Sequence, residues 1–193
     1  MDASGSLQSV RFGLLLGLLT ILYGWSLGVT FGVNEDGLRD RFFVQPARAA
    51  RAVYVERAKG DEVAADAAIK RMDETCWRYI QRAHFHAGGI GAIVIATSLL
   101  LSLLGVKARW KAVTSALLGA GGLGYALSWM FAAFRAPALG TTGAAKESLK
   151  WLSMPSGAAL MIGALLSLGF VVSELFLKSR QRPSKPATGG SVP

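Results

Sequence analysis

Cysteine occurs once in the 193 residues, at Cys76, so the chain can form no internal disulfide, and its thiol chemistry says little about compartment. Histidine occurs twice, at His84 and His86. A membrane haem held by histidines on two different helices is therefore excluded within one chain. Acidic residues are few, 12 Asp and Glu against 21 Lys and Arg, and no recognised catalytic signature is present to name a substrate. Charge of either sign is missing from residues 12–33, 87–106, 112–134 and 155–177, apart from Glu174 in the last turn of the fourth stretch. There a carboxylate can reach the headgroups at little cost.

Those four uncharged stretches are what the chain has in abundance. A helix that crosses roughly 30 Å of hydrocarbon needs about 20 apolar residues, and each stretch meets that length. A soluble bundle would alternate apolar and polar faces, whereas residues 90–104 are apolar almost all round. The first stretch is longer than the roughly 7–15 residues of a signal-peptide core, has only Arg11 before it and lacks a convincing small-x-small cleavage site, so it reads as an uncleaved anchor. The expected fold class is all-α, an integral membrane four-helix bundle with an extramembrane helical hairpin between the first and second spans.

The expected divisions are a short N-terminal segment (1–11), a first span (12–33), a hairpin leading into the second span (34–86), the second span (87–106), the third (112–134), a loop (135–154), the fourth span (155–177) and a disordered basic tail (178–193). In the hairpin, Pro46 suits a helix start, residues 47–59 read as helix and Gly60 can close it. Asp61 then offers an N-cap, and no Gly or Pro intervenes before Gly88. The second arm should run unbroken into the second span and carry Cys76, Trp77, Tyr79, Arg82, His84 and His86 along one rod.

The net charge of +9 does not point to nucleic acid, because much of the excess lies beside the spans. Anionic headgroups attract Lys and Arg there by about 1 kcal/mol each, so the partner is the lipid bilayer. Lys107, Arg109 and Lys111 crowd a very short turn, and Lys178, Arg180 and Arg182 abut the fourth span. The opposite side carries more bases in total, spread over a long segment and interleaved with acids. The dense short loops favour cytoplasmic N- and C-termini in a bacterial-type inner (plasma) membrane.

Aromatic residues fall mainly at one membrane face, with Tyr23, Trp25, Trp77, Tyr79, Trp129, Phe131, Phe134 and Trp151 on that side and Trp110 on the other. An interfacial belt accounts for most of them, and a wall for a flat ligand is the functional alternative. Gly24, Gly28 and Gly32 form a double GxxxG ridge on the first span, preceded by Gly13 and Gly17. Such ridges let helix backbones approach closely. This one is long enough to suggest a second use, in binding another subunit or another copy of the chain.

Both histidines sit in the string 82–89, where the polar arm meets the apolar span. Positions i and i+2 of a regular helix lie about 200° apart, so His84 and His86 share one metal ion only if the backbone is extended or broken. Candidate co-ligands on the same side are Met130, Met154, Glu35, Asp36 and Cys76. Imidazole with thioether would suit copper, and one His with one Met would suit haem. Without metal, His84 paired with Glu35 or Asp36 could handle a proton or a quinone head, with Arg82 and Arg135 as an anion-binding corner.

Arg82-Ala83-His84-Phe85-His86 also resembles the Arg-x-His-x-Asn region of the MAPEG glutathione-dependent membrane proteins, which have four spans. The resemblance covers five residues, has His86 where the family has Asn, and lacks the Glu and Pro that follow. It would imply a membrane transferase. Transport is unsupported, since neither an inverted repeat nor a mid-span charge is visible.

Three readings follow. The leading one is an accessory or structural subunit of a larger membrane assembly, the second a redox, metal, haem or quinone-binding membrane protein with its site at His84 and His86, and the third a MAPEG-like transferase. The first predicts glycine faces turned to lipid in the monomer. The second predicts histidine rings turned inward toward Met130, Met154 or Glu35.

Overall fold

The computed structural model describes residues 3–177, and every regular element among them is helical. A short α1 (Ala3–Gln8) precedes the long α2 (Arg11–Val33). Then come α3 (Glu35–Arg39), a π-helical turn (Asp40–Val44), α4 (Gln45–Ala49), α5 (Arg51–Arg57) and the very long α6 (Glu62–Leu103). The chain continues through α7 (Ala108–Leu139), α8 (Thr142–Glu147) and α9 (Lys150–Val172), with a last π turn at Ser173–Leu177. Four helices, containing Arg11–Val33, Glu62–Leu103, Ala108–Leu139 and Lys150–Phe176, are long and apolar enough to cross a membrane. The expected tail, 178–193, lies outside the described residues.

Local chemistry explains the start of α6. Lys59 and Gly60 take left-handed backbone angles, φ 54° and 87°, which reverse the chain after α5. Asp61 stays extended and its carboxylate accepts the Ala64 N–H at 2.9 Å, capping the new helix. With no breaker until Gly88, α6 runs for 42 residues, roughly 60 Å. His84 and His86 therefore sit on a regular helix.

The first arm differs from the expected single helix over 47–59. Pro46 has no N–H to donate, and the turn before it widens so that the Gln45 N–H reaches back to the Asp40 carbonyl. A break follows at Ala50 (φ −93°, ψ 20°), which separates α4 from α5. Residues 135–154, expected as a loop, are mostly helical. α7 carries on through Pro137 to Leu139, Gly140 closes it at φ 67°, and the Thr141 hydroxyl caps α8 by accepting the Ala144 N–H at 3.1 Å. The Tyr54 hydroxyl donates to the Pro137 carbonyl at 2.8 Å and ties α5 to this corner.

Small residues set how the long helices meet. α2 crosses α6 where a Cβ on Gly17 would lie 3.2 Å from the Gly91 carbonyl, and one on Gly91 would lie 2.9 Å from the Gly17 carbonyl. Gly13 faces Ser98 and Ser115, Gly24 faces Ala87, and Gly28 faces the His84 ring. Four of the five ridge glycines of α2 are thus covered within the chain by α6 and α7, and only Gly32 has open space. The second use expected for this ridge loses most of its surface. On the far side, Gly121 and Gly124 of α7 seat Ser156 and Leu160 of α9.

At the other end, α6 finishes at Leu103 and its last carbonyls lack intrahelical donors. The Ser102 carbonyl receives the Lys111 ammonium at 2.8 Å and also the Ser6 hydroxyl. Lys111 is only 1% exposed, so one basic residue of the short turn is not a headgroup contact but a cap on the negative end of a helix.

Candidate functional site

The regular α6 sends its two histidines to different neighbours. His84 turns to α2, where its ring Nδ1 lies 2.7 Å from the Gly24 carbonyl oxygen. A carbonyl only accepts, so Nδ1 carries the proton in this contact. His84 and Glu35 line one small cavity of about 250 Å³ with Trp77, Gln81 and Phe85. Glu35, however, accepts a hydrogen bond from Arg39 at 2.9 Å, and Arg39 also grips Asp73 through Nε (3.2 Å) and Nη2 (2.8 Å). The carboxylate beside Arg39 holds its guanidinium pKa above the ordinary value, chiefly through the Asp73 bond. Asp36 is exposed in the first turn of α3.

His86 turns to α7. Its ring stacks on Tyr125 (centroids 5.6 Å apart, 15° between planes) and meets Trp129 edge-on at 5.8 Å. Trp129 in turn meets Tyr79 edge-on at 5.2 Å. The Arg82 guanidinium lies 5.3 Å from the Trp129 ring and 5.5 Å from Tyr79, and the Lys146 ammonium of α8 lies 5.5 and 5.3 Å from the same rings. Two cations share one aromatic pair, each attracted by ring quadrupoles.

Tyr125 and Trp129 wall a groove of about 470 Å³ between α7, α8 and α9, with Lys146, Lys150, Ser153 and Met154 on its other sides. Met154 is exposed there, whereas Met130 packs against the buried cluster around Tyr79 and Ile80. Arg135 does not join Arg82, because it donates to the Ser148 hydroxyl at 2.9 Å and to its carbonyl at 3.2 Å.

A set that uses both imidazoles on one ion is not assembled, as the two rings face α2 and α7. Among the described residues no three His, Cys, Asp or Glu side chains are grouped to hold a metal ion. Cys76 is fully buried, and burial pushes its thiol pKa up to about 12, so it is a poor thiolate ligand. The arrangement can instead hold an organic group against one aromatic wall beside cations.

Sequence reasoning passed over Tyr125 and Lys146. Tyr125 and Trp129 stand four apart on one helix face, a spacing visible in the sequence. Lys146 carried no signal, because the fold of 135–154 places it. In comparisons with known proteins, no family model, no curated protein and no solved structure matches the chain. The MAPEG resemblance accordingly rests on residues 82–86 alone.

Proposed function

We propose that the chain is a four-span integral membrane protein that binds a small amphiphile of the bilayer, a class that includes quinones, in the groove between α7, α8 and α9. The observation that carries this reading is the inward stacking of His86 on Tyr125 and Trp129, which themselves form the groove wall. With the termini cytoplasmic, the groove faces the outer side, where Trp129 and Trp151 serve as interfacial aromatics. No reaction is assigned to it. The test is organic extraction and an absorption spectrum of protein purified in mild detergent. An amphiphile or quinone near one per chain, lost in His86→Ala and Trp129→Ala, is expected, and a bare protein would overturn the reading.

Service as an accessory subunit in a larger membrane assembly has its own support in α9. It is the least buried of the four candidate spans, and Gly157 and Gly169 have open space where a Cβ would stand. Small residues facing outward allow a further helix to approach. Native-gel migration as a larger species, reduced by Gly157→Leu, is the expected result; a monomer in every mild detergent would remove this role.

A further inference from the structure

The groove carries more cationic character than aromatic packing needs. Arg82 and Lys146 stand over the same two rings, and neither forms an ion pair with any carboxylate among the described residues. Lys150, on the groove wall, is held by Glu147 at 2.7 Å, so two groove lysines meet one carboxylate while Arg82 stands on the same aromatic pair outside the lining. Like charges brought together repel, and an anion beside them relieves that repulsion. The Trp129 Nε1–H is itself buried and has no partner among the described residues, so what Trp129 offers the groove is its aromatic face and not this donor. Beyond the cations the lining is mainly apolar and includes Met154, Leu149 and Ala132.

We propose that the amphiphile is anionic, an acidic phospholipid whose phosphate sits at Lys146 and Lys150, with Arg82 adding positive potential from behind the indole and one acyl chain running past Met154. This rests on the groove being the binding site. The assignment accounts together for the convergent cations and for an apolar lining that a free inorganic anion would not need.

The test uses the full chain in vesicles of phosphatidylcholine that contain, at equal mole fraction, either phosphatidylglycerol or phosphatidylcholine brominated near the glycerol. The Trp129 contribution is the difference between the native protein and Trp129→Phe. Quenching is expected to favour the brominated phosphatidylglycerol by roughly five-fold for each lysine engaged. The preference should vanish in Lys146→Gln/Lys150→Gln and survive in Lys146→Arg/Lys150→Arg. Native mass spectrometry of the unaltered protein gives a second readout that needs no variant, with phosphatidylglycerol retained over phosphatidylcholine.

Equal quenching by both lipids, or displacement of either by an uncharged short-chain quinone alone, would overturn the anionic assignment and leave the groove as a site. No quenching of Trp129 by any lipid or quinone would overturn the binding reading itself. A Lys146-dependent response to inorganic phosphate alone, in uncharged detergent, would move the anion from lipid to solution and overturn the phospholipid.

Discussion

The His84 ring lies over Gly28. A Cβ added at Gly28 would meet His84 Cε1 at 2.8 Å and Nδ1 at 3.0 Å, while the same ring donates to the Gly24 carbonyl. The glycine is small because an imidazole fills its space. Gly28→Ala should push the ring off the Gly24 carbonyl and destabilise the protein by about 1–3 kcal/mol, whereas Gly32→Ala, with open space around it, should be neutral. Thermal aggregation in mild detergent compares the two. Equal effects would show that His84 does not set this contact.

Arg39 joins α3 to α6 through Asp73, and both side chains are mostly shielded, at 23% and 18% exposed. Asp73→Asn keeps the shape and removes the charge. A loss of about 1–3 kcal/mol is expected, together with faster amide exchange over residues 35–44. Unchanged exchange in that segment would mean that the pair is a surface ornament.

α9 hangs on α7. An alanine Cβ at Gly121 would lie 2.7 Å from the Ser156 carbonyl and press on the Leu160 amide, both backbone atoms that cannot rotate away. Gly121→Ala is expected to cost about 1–3 kcal/mol or more and to loosen α9. Amide exchange across α9 reads this directly, since it should quicken in Gly121→Ala. Unaltered exchange would contradict the close crossing.

Cys76 has its thiol pKa raised from 9 to about 12, first by burial and then by Asp73. The folded state thus favours the neutral thiol. Its contribution to stability is complete below pH 9, the unfolded value, and disappears as pH rises through about 12. Alkylation by iodoacetamide at pH 8 should be slow in the folded protein and become rapid on unfolding. Rapid labelling of the folded protein would show that the site opens.

Much of this protein is determined by sequence alone. Residues 12–33, 87–106, 112–134 and 155–177 hold enough uncharged apolar length for four long helices, because hydropathy is a local property. Asp61 after Gly60 marks the start of α6 by hydrogen-bonding geometry that spans only three residues. The helical period also separates His84 from His86. Partners across helices are another matter, because helix register depends on which small residues meet. The same glycine pattern in α2 would serve a partner subunit as well as α6, and only the packing of Gly17 on Gly91 decides between them. Lys111 reads as an interfacial base until the free carbonyl of Ser102 is found beside it. Likewise, Tyr79, His86, Tyr125, Trp129 and Lys146 come from three helices, and the tertiary structure alone gathers them, through contacts between residues far apart in the chain.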